Sequence, residues 1–188
     1  RRHRQEDDHD MVQLGYKISS EEFRPNELVD NAVKAEQAGF AFALISDHYH
    51  PWMDVQGHSP FVWNVIGAIA QRTSQLRLVT GVTAPIIRIH PAIIAQAAAT
   101  SADMMPGRFS FGVGTGENLN EHVTGEHWPP ISIRQEMLAE AVEIIRQLWQ
   151  GGYQTIDGDY YSVENARLYT LPDTLPEIYV AASGPEAG

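Results

Sequence analysis

Short apolar runs alternate with longer amphipathic stretches along most of this chain. "VQLGYKIS" alternates apolar and polar positions as a strand does. After Pro25, the residues Leu28, Val29, Ala32 and Val33 fall on one helical face, and Gly39 supplies a stop. "FAFALIS" reads as a buried strand, Phe61 to Arg72 as a helix, and "LRLVTGV" as a third strand. Pro91 suits the first turn of a helix through "AIIAQAAATSADMM" that ends near Pro106-Gly107. "RFSFGVG" is a fourth strand. Ser132 and Gln135 have capping-box spacing, which predicts a helix from Ser132. Its stripe is Met137, Leu138, Ala141, Val142, Ile145, Leu148 and Trp149, and Gly151-Gly152 ends it. "YQTIDGDYYSV" reads as a hairpin turning at Asp157-Gly158, and "EIYVAASG" as a fifth buried strand.

Strands that are almost wholly apolar, alternating with helices, predict an α/β fold with a parallel sheet covered by helices. The sheet is either doubly wound and open or part of a barrel. Polar and glycine-rich residues follow strands two, three, four and five, at the carboxyl ends where both architectures place their sites. Eight-stranded barrels take about 250 residues, so five strands in 188 residues imply an open sheet or a fragment.

Composition removes several classes of function. The absence of cysteine excludes disulfides, thiolate metal sites and a cysteine nucleophile. A net charge of −11 leaves no basic surface for nonspecific nucleic-acid binding. No apolar run approaches the roughly 18 residues that span a bilayer. The opening "RRHRQEDDHD" lacks the apolar centre of a signal peptide, so the protein reads as cytoplasmic. Residues 1–10 are expected to be a disordered tail or an expression remnant, with the domain over residues 11–188.

The second strand ends in "ISDHYHPW", which brings a carboxylate, two imidazoles and an indole to one place. His48 could do acid–base work, tuned by Asp47. His48-X-His50 could instead bind a metal, or Asp47 and His48 could simply cap the strand. The fourth strand breaks into "GVGTGENLNE", where Gly114 and Gly116 let backbone amides approach a planar or anionic ligand and Glu117 stands at the strand mouth. Leu119 occupies the third glycine position of a dinucleotide fingerprint, which excludes that motif. With "TGVTAP" and "AASGP" after strands three and five, the four ends suggest a flat ring laid across the sheet, with Trp52 as a wall.

The segments "LGYKISSEEF", "ISDHYHPW", "GHSPFVW", "TGVTAP", "IRIHPAIIAQAAAT", "GRFSFGVGTGENLNEH" and "TLPDTLPEIYVAASGP" resemble the deazaflavin-dependent oxidoreductases of the luciferase-like superfamily. Within that superfamily they resemble the coenzyme F420-dependent glucose-6-phosphate dehydrogenases, and the resemblance runs from about Leu14 to Pro185. It implies a (β/α)8 barrel, here cut after about strand five, with the deazaflavin at the carboxyl ends of the strands. It also implies a nonprolyl cis peptide at Gly81-Val82 and a small-molecule substrate, and homodimers are common in the superfamily. By the same resemblance, His48 takes the substrate's hydroxyl proton, Glu117 handles the proton at the reduced ring, and Trp52 flanks the substrate. Asp47, Gly81, Val82, Thr115, Gly116, Asn120, Ser183 and Gly184 match cofactor contacts, and no residue is assigned to a metal. Ala84 departs from the family pattern, standing where a cofactor-contacting threonine is expected. The family's sugar-phosphate grip comes from beyond these residues, so the resemblance implies hydride transfer, in either direction, between the deazaflavin and an alcohol or hemiacetal of open identity, sugar phosphates included.

Three alternatives stand beside this reading. One is a luciferase-like monooxygenase using flavin mononucleotide (FMN). Another is a metal-dependent hydrolase on His48-X-His50, which would need further ligands such as Glu117 and His122. The third is a protein that holds the cofactor without turnover.

Overall fold

The computed structural model describes residues 12–182. The tail expected over residues 1–10, together with Ser183 and Gly184, lies outside them. Five strands form one parallel sheet: β1 (Gly15–Ile18), β2 (Phe42–Ile45), β3 (Arg77–Thr80), β4 (Phe109–Val113) and β7 (Ile178–Val180). Helices α1 (Pro25–Gln37), α2 (Val62–Arg72) and α3 (Pro91–Met104) make the first three crossovers. The connection from β4 to β7 carries the short α4 (Asn118–Glu121), the long α5 (Ile131–Leu148) and the hairpin of β5 (Gln154–Asp157) and β6 (Ser162–Ala166).

The sheet order, β1-β2-β3-β4-β7, settles which parallel architecture this is. Each crossover steps one strand in the same direction. Because such crossovers are right-handed, all their helices land on one face. A doubly wound sheet reverses its order part-way and acquires helices on both faces. This order has no reversal, and it follows the course of the opening strands of a (β/α)8 barrel. The helices follow suit, with α1 packed on α2, α2 on α3 and α3 on α5. Ala43, Ile45, Leu78, Phe111 and Val113 are buried in the common core. On the open face Phe42, Leu44 and Val79 line an apolar groove of about 650 Å³.

Three local expectations are corrected. The long helix begins at Ile131, with Pro130 as its N-cap and no side-chain cap, so Ser132 is not a capping residue. Pro129-Pro130 holds the chain extended up to that point, and the Pro130 carbonyl takes the Arg134 N–H. The hairpin does not turn at Asp157-Gly158. Asp157 still pairs with Ser162, and Gly158 to Tyr161 make the connection. That longer loop is fixed from outside, because the Glu140 carboxylate on α5 accepts the N–H groups of Asp159 (3.0 Å), Tyr160 (3.0 Å) and Tyr161 (2.8 Å). Finally, β7 is a strand but is not buried. Tyr179 and Val180 are 53% and 52% exposed, because β7 is the edge of the described sheet.

Candidate active site

The carboxyl ends of β2, β3, β4 and β7 surround a cavity of about 280 Å³. Asp47 and His48 enter it from the segment after β2, and Val82 and Ala84 from the segment after β3. Gly114 to Glu117 follow β4, Asn120 and Glu121 belong to α4, and Ala181 and Ala182 follow β7. The Gly81–Val82 peptide is cis. Two glycines allow the β3 and β4 ends to approach. A Cβ on Gly114 would stand 2.8 Å from Val82, and one on Gly116 would stand 2.8 Å from Ala84, with Gly116 also at φ +67°.

His48 is held by a partner outside the motif that drew attention to it. Its Nδ1 lies 2.5 Å from Oε1 of Glu21, in the segment after β1. Glu21 is buried and also accepts hydrogen bonds from the hydroxyls of Ser19 (2.9 Å) and Ser46 (3.0 Å). Burial alone would raise the pKa of its carboxyl. The close contact with His48 and hydrogen bonds from its own backbone, Ser19 and Ser46 outweigh that and pull it down to about 2. An ionised carboxylate can only accept, so Nδ1 is the ring nitrogen that presents a proton to Glu21, and Nε2 is the one turned toward Glu117. Nε2 lies 4.0 Å from Oε2 of Glu117, whose side chain is about half exposed at the mouth. The Trp52 ring meets His48 edge-on, with centroids 5.0 Å apart, and half of Trp52 faces solvent at the rim.

Asp47 is buried at the cavity floor. Its Oδ2 accepts the Thr83 hydroxyl at 2.7 Å, and its Oδ1 accepts Nη2 of Arg88 at 2.8 Å. Asn120 ties two site segments together, since its side-chain oxygen accepts the backbone N–H groups of Tyr49 (2.8 Å) and His50 (3.0 Å). Lys17 on β1 donates to the Gly81 carbonyl at 3.3 Å. Burial lowers the pKa of its amine, against the nearby charge of Glu21.

The structure therefore gathers Asp47, His48, Val82, Thr115, Gly116, Glu117 and Asn120 around one cavity, with Gly81 behind its wall and Trp52 on its rim. Glu21 and Arg88 were not singled out in the sequence. Glu21 sits in "SSEEF", directly after the first strand, so the reasoning applied to the other strand ends would have reached it. The two histidines of His48-X-His50 do not converge. His50 hydrogen-bonds the Leu119 carbonyl at 2.8 Å and stacks on His122, while His48 faces Glu21. Among the described residues no group of three His, Asp or Glu side chains could hold a metal ion.

Residues 9–187 match the luciferase-like monooxygenase family. The chain belongs to that family. It is 47% identical over 176 residues to an F420-dependent glucose-6-phosphate dehydrogenase of Microbacterium testaceum, covering 94% of this chain and 52% of that protein. The chain thus spans about half the length of the curated relatives it matches. Among solved structures, an F420-dependent secondary alcohol dehydrogenase in complex with an F420–acetone adduct superposes with a TM-score of 0.89 at 41% identity, over 93% of this chain and 53% of that one. The F420-dependent tetrahydromethanopterin reductase of Methanopyrus kandleri superposes at 0.78 with 26% identity, over 95% and 52%. A type II Baeyer–Villiger monooxygenase in complex with FMN, from Pseudomonas putida, is 18% identical and shares the fold.

Proposed function

We propose that this chain carries the cofactor-binding and proton-transfer part of an F420-dependent alcohol or hemiacetal dehydrogenase. The observation that carries the reading is the Glu21–His48 pair, with Nδ1 of His48 held at 2.5 Å and Nε2 left toward the cavity and Glu117. Identity of 41–47% to proteins named as F420-dependent dehydrogenases favours the deazaflavin over FMN.

The residues present fit such a ring. The cavity is close to the lower end of the roughly 300–1,000 Å³ typical of small-molecule sites, at about 280 Å³. Val82, Ala84, Gly114, Gly116 and Ala181 give it small, flat walls, and Asp47 offers an acceptor at its floor. Thr115, Gly116 and Asn120, with Ser183 and Gly184 at the chain's end, complete the proposed contact set. The deazaflavin, when bound, supplies a two-electron hydride acceptor. His48 Nε2 accepts the hydroxyl proton of an alcohol as its carbon gives up hydride, and the Glu21 carboxylate stabilises the imidazolium that forms. Glu117 serves protons at the cavity mouth, and Trp52 shields the substrate side from water. In the cell we place the protein in the cytoplasm, as a homodimer.

His48→Ala should leave F420 affinity within a few-fold of wild type and lower kcat by about 10²-fold or more, the scale of general-base loss. Stopped-flow turnover alongside a fluorescence titration measures both. Unchanged turnover would remove His48 as the base. Tight cofactor binding with no turnover of any alcohol by the wild type would favour a carrier over an enzyme.

A further inference from the structure

Beneath the cavity lies a group of charges that the proposed proton transfer does not use. Arg88, on the segment between β3 and α3, is one of few cations near the site, and its side chain is only 7% exposed. Its Nη2 contacts Oδ1 of Asp47 at 2.8 Å and the Asp47 carbonyl at 3.3 Å. On the other side Oε2 of Glu121 accepts the Arg88 backbone N–H at 2.8 Å, and Oε1 stands 3.6 Å from Nε. That Nε is buried without a hydrogen-bond partner. Asp47 and Glu121 both line the cavity, whereas Arg88 does not reach it. One guanidinium therefore stands behind two carboxylates that face the ligand space.

We propose that Arg88 is a positioning residue for cofactor binding, holding the Asp47 carboxyl in one orientation at the cavity while balancing the charges of Asp47 and Glu121. This rests on the reading that the cavity holds a deazaflavin. The chemistry follows from lone pairs. A carboxylate has about four acceptor positions; Thr83 and Arg88 occupy one on each oxygen of Asp47, leaving others for a donor on the bound ring. Without the guanidinium, the two buried carboxylates it stands between lose their countercharge, and a buried pair of like charges takes up a proton more readily. That proton removes acceptor capacity beside the cavity, and the Asp47 carboxyl loses the contact that fixes its orientation. The other titratable groups around the pair are Tyr161 from the hairpin, Glu117 at the head of α4 and His48 beside Asp47. The phenol of Tyr161 hydrogen-bonds the Ile86 carbonyl at 2.7 Å and is held above its ordinary range by burial and by the charges of Glu140 and Glu121. Burial and the Asp47 charge push the Glu121 carboxyl upward, against the pull of Arg88.

The test is the F420 dissociation constant of the purified protein from pH 5.5 to 9, for wild type, Arg88→Lys, Glu121→Gln, Arg88→Met and Arg88→Met with Glu121→Gln. Thermal unfolding of each without cofactor runs beside it. For wild type the dissociation constant should vary less than about threefold across the range. In Arg88→Met it should be at least tenfold weaker at pH 6 and recover as pH rises and the buried pair gives up the proton it takes when the guanidinium is gone. Adding Glu121→Gln should remove most of that pH dependence, and Arg88→Lys should fall between. A lower Tm in Arg88→Met with a pH-independent affinity equal to wild type would overturn the proposal and leave Arg88 a structural ion pair. If Arg88→Met does not fold, a wild-type profile in Arg88→Lys with Glu121→Gln weakening binding on its own would overturn it too. Failure of the wild type to bind F420 would overturn the deazaflavin reading and this inference together.

Discussion

At the scale of single residues, the site is set by one buried acid. Glu21 has its carboxyl drawn down to about 2, so it is ionised wherever the protein is folded near neutrality. The sign of its pH effect follows. A carboxyl whose folded pKa is depressed adds stability in full above its unfolded value near 4.5, and that stability is lost as pH falls through about 2. Glu21→Gln should therefore be less stable than wild type at pH 6, with the gap closing between pH 4.5 and 2. Urea unfolding over a pH series measures it. The same substitution lets an amide N–H face Nδ1, which turns the imidazole to the wrong tautomer, so kcat should fall by about 10²-fold. A constant stability gap from pH 2 to 7, with normal kcat, would deny Glu21 both roles. The residue was hidden because a polar "SSEEF" after a strand looks like an ordinary solvated turn. Its burial comes from Ser19, Ser46 and His48 closing over it, contacts that join two strand ends far apart in sequence. Arg88 escaped for a similar reason, since only the fold brings it under Asp47.

At the scale of elements, the apolar runs were sufficient guides to strands and helices, because strands buried in a parallel sheet carry little else. What they could not convey was how loops are fixed from outside. Glu140 on α5 supplies acceptors for three successive backbone N–H groups of the β5–β6 connection, which replaced the expected tight turn at Asp157-Gly158 by a four-residue loop. Tyr161 from that loop then reaches the Ile86 carbonyl, two residues before Arg88. Glu140→Ala should leave these donors unsatisfied and cost about 1–3 kcal/mol of stability, with faster amide exchange across Gly158 to Tyr161. Unchanged exchange there would show that the loop holds itself. The Ser132 cap was misplaced because capping-box spacing is a short motif, and the neighbouring Pro129-Pro130 decides where the helix can start.

At the scale of the molecule, the apolar pattern leaves two parallel architectures open, the family resemblance implies the barrel, and the strand order agrees with it. No local pattern encodes whether crossovers all step the same way; that is decided by which strand each helix returns beside. No helix among the described residues is long and apolar enough to cross a membrane. The open face of the sheet is a groove of about 650 Å³ with Phe42, Leu44, Val79 and Phe109 in its lining, next to the half-exposed β7 edge. A protein limited to these 188 residues should bind a hydrophobic dye there and associate at higher concentration, measured by dye fluorescence and sedimentation. A dye-silent monomer would mean that the face closes on itself.

The proposed function requires the cavity at the carboxyl ends of the strands to hold a deazaflavin. The most direct measurement is a fluorescence titration of the purified protein with coenzyme F420, run beside FMN under the same conditions. Saturable F420 binding, at least tenfold tighter than that of FMN, is the expected result. Tighter binding of FMN would contradict it and move the chain to the monooxygenase branch of its family.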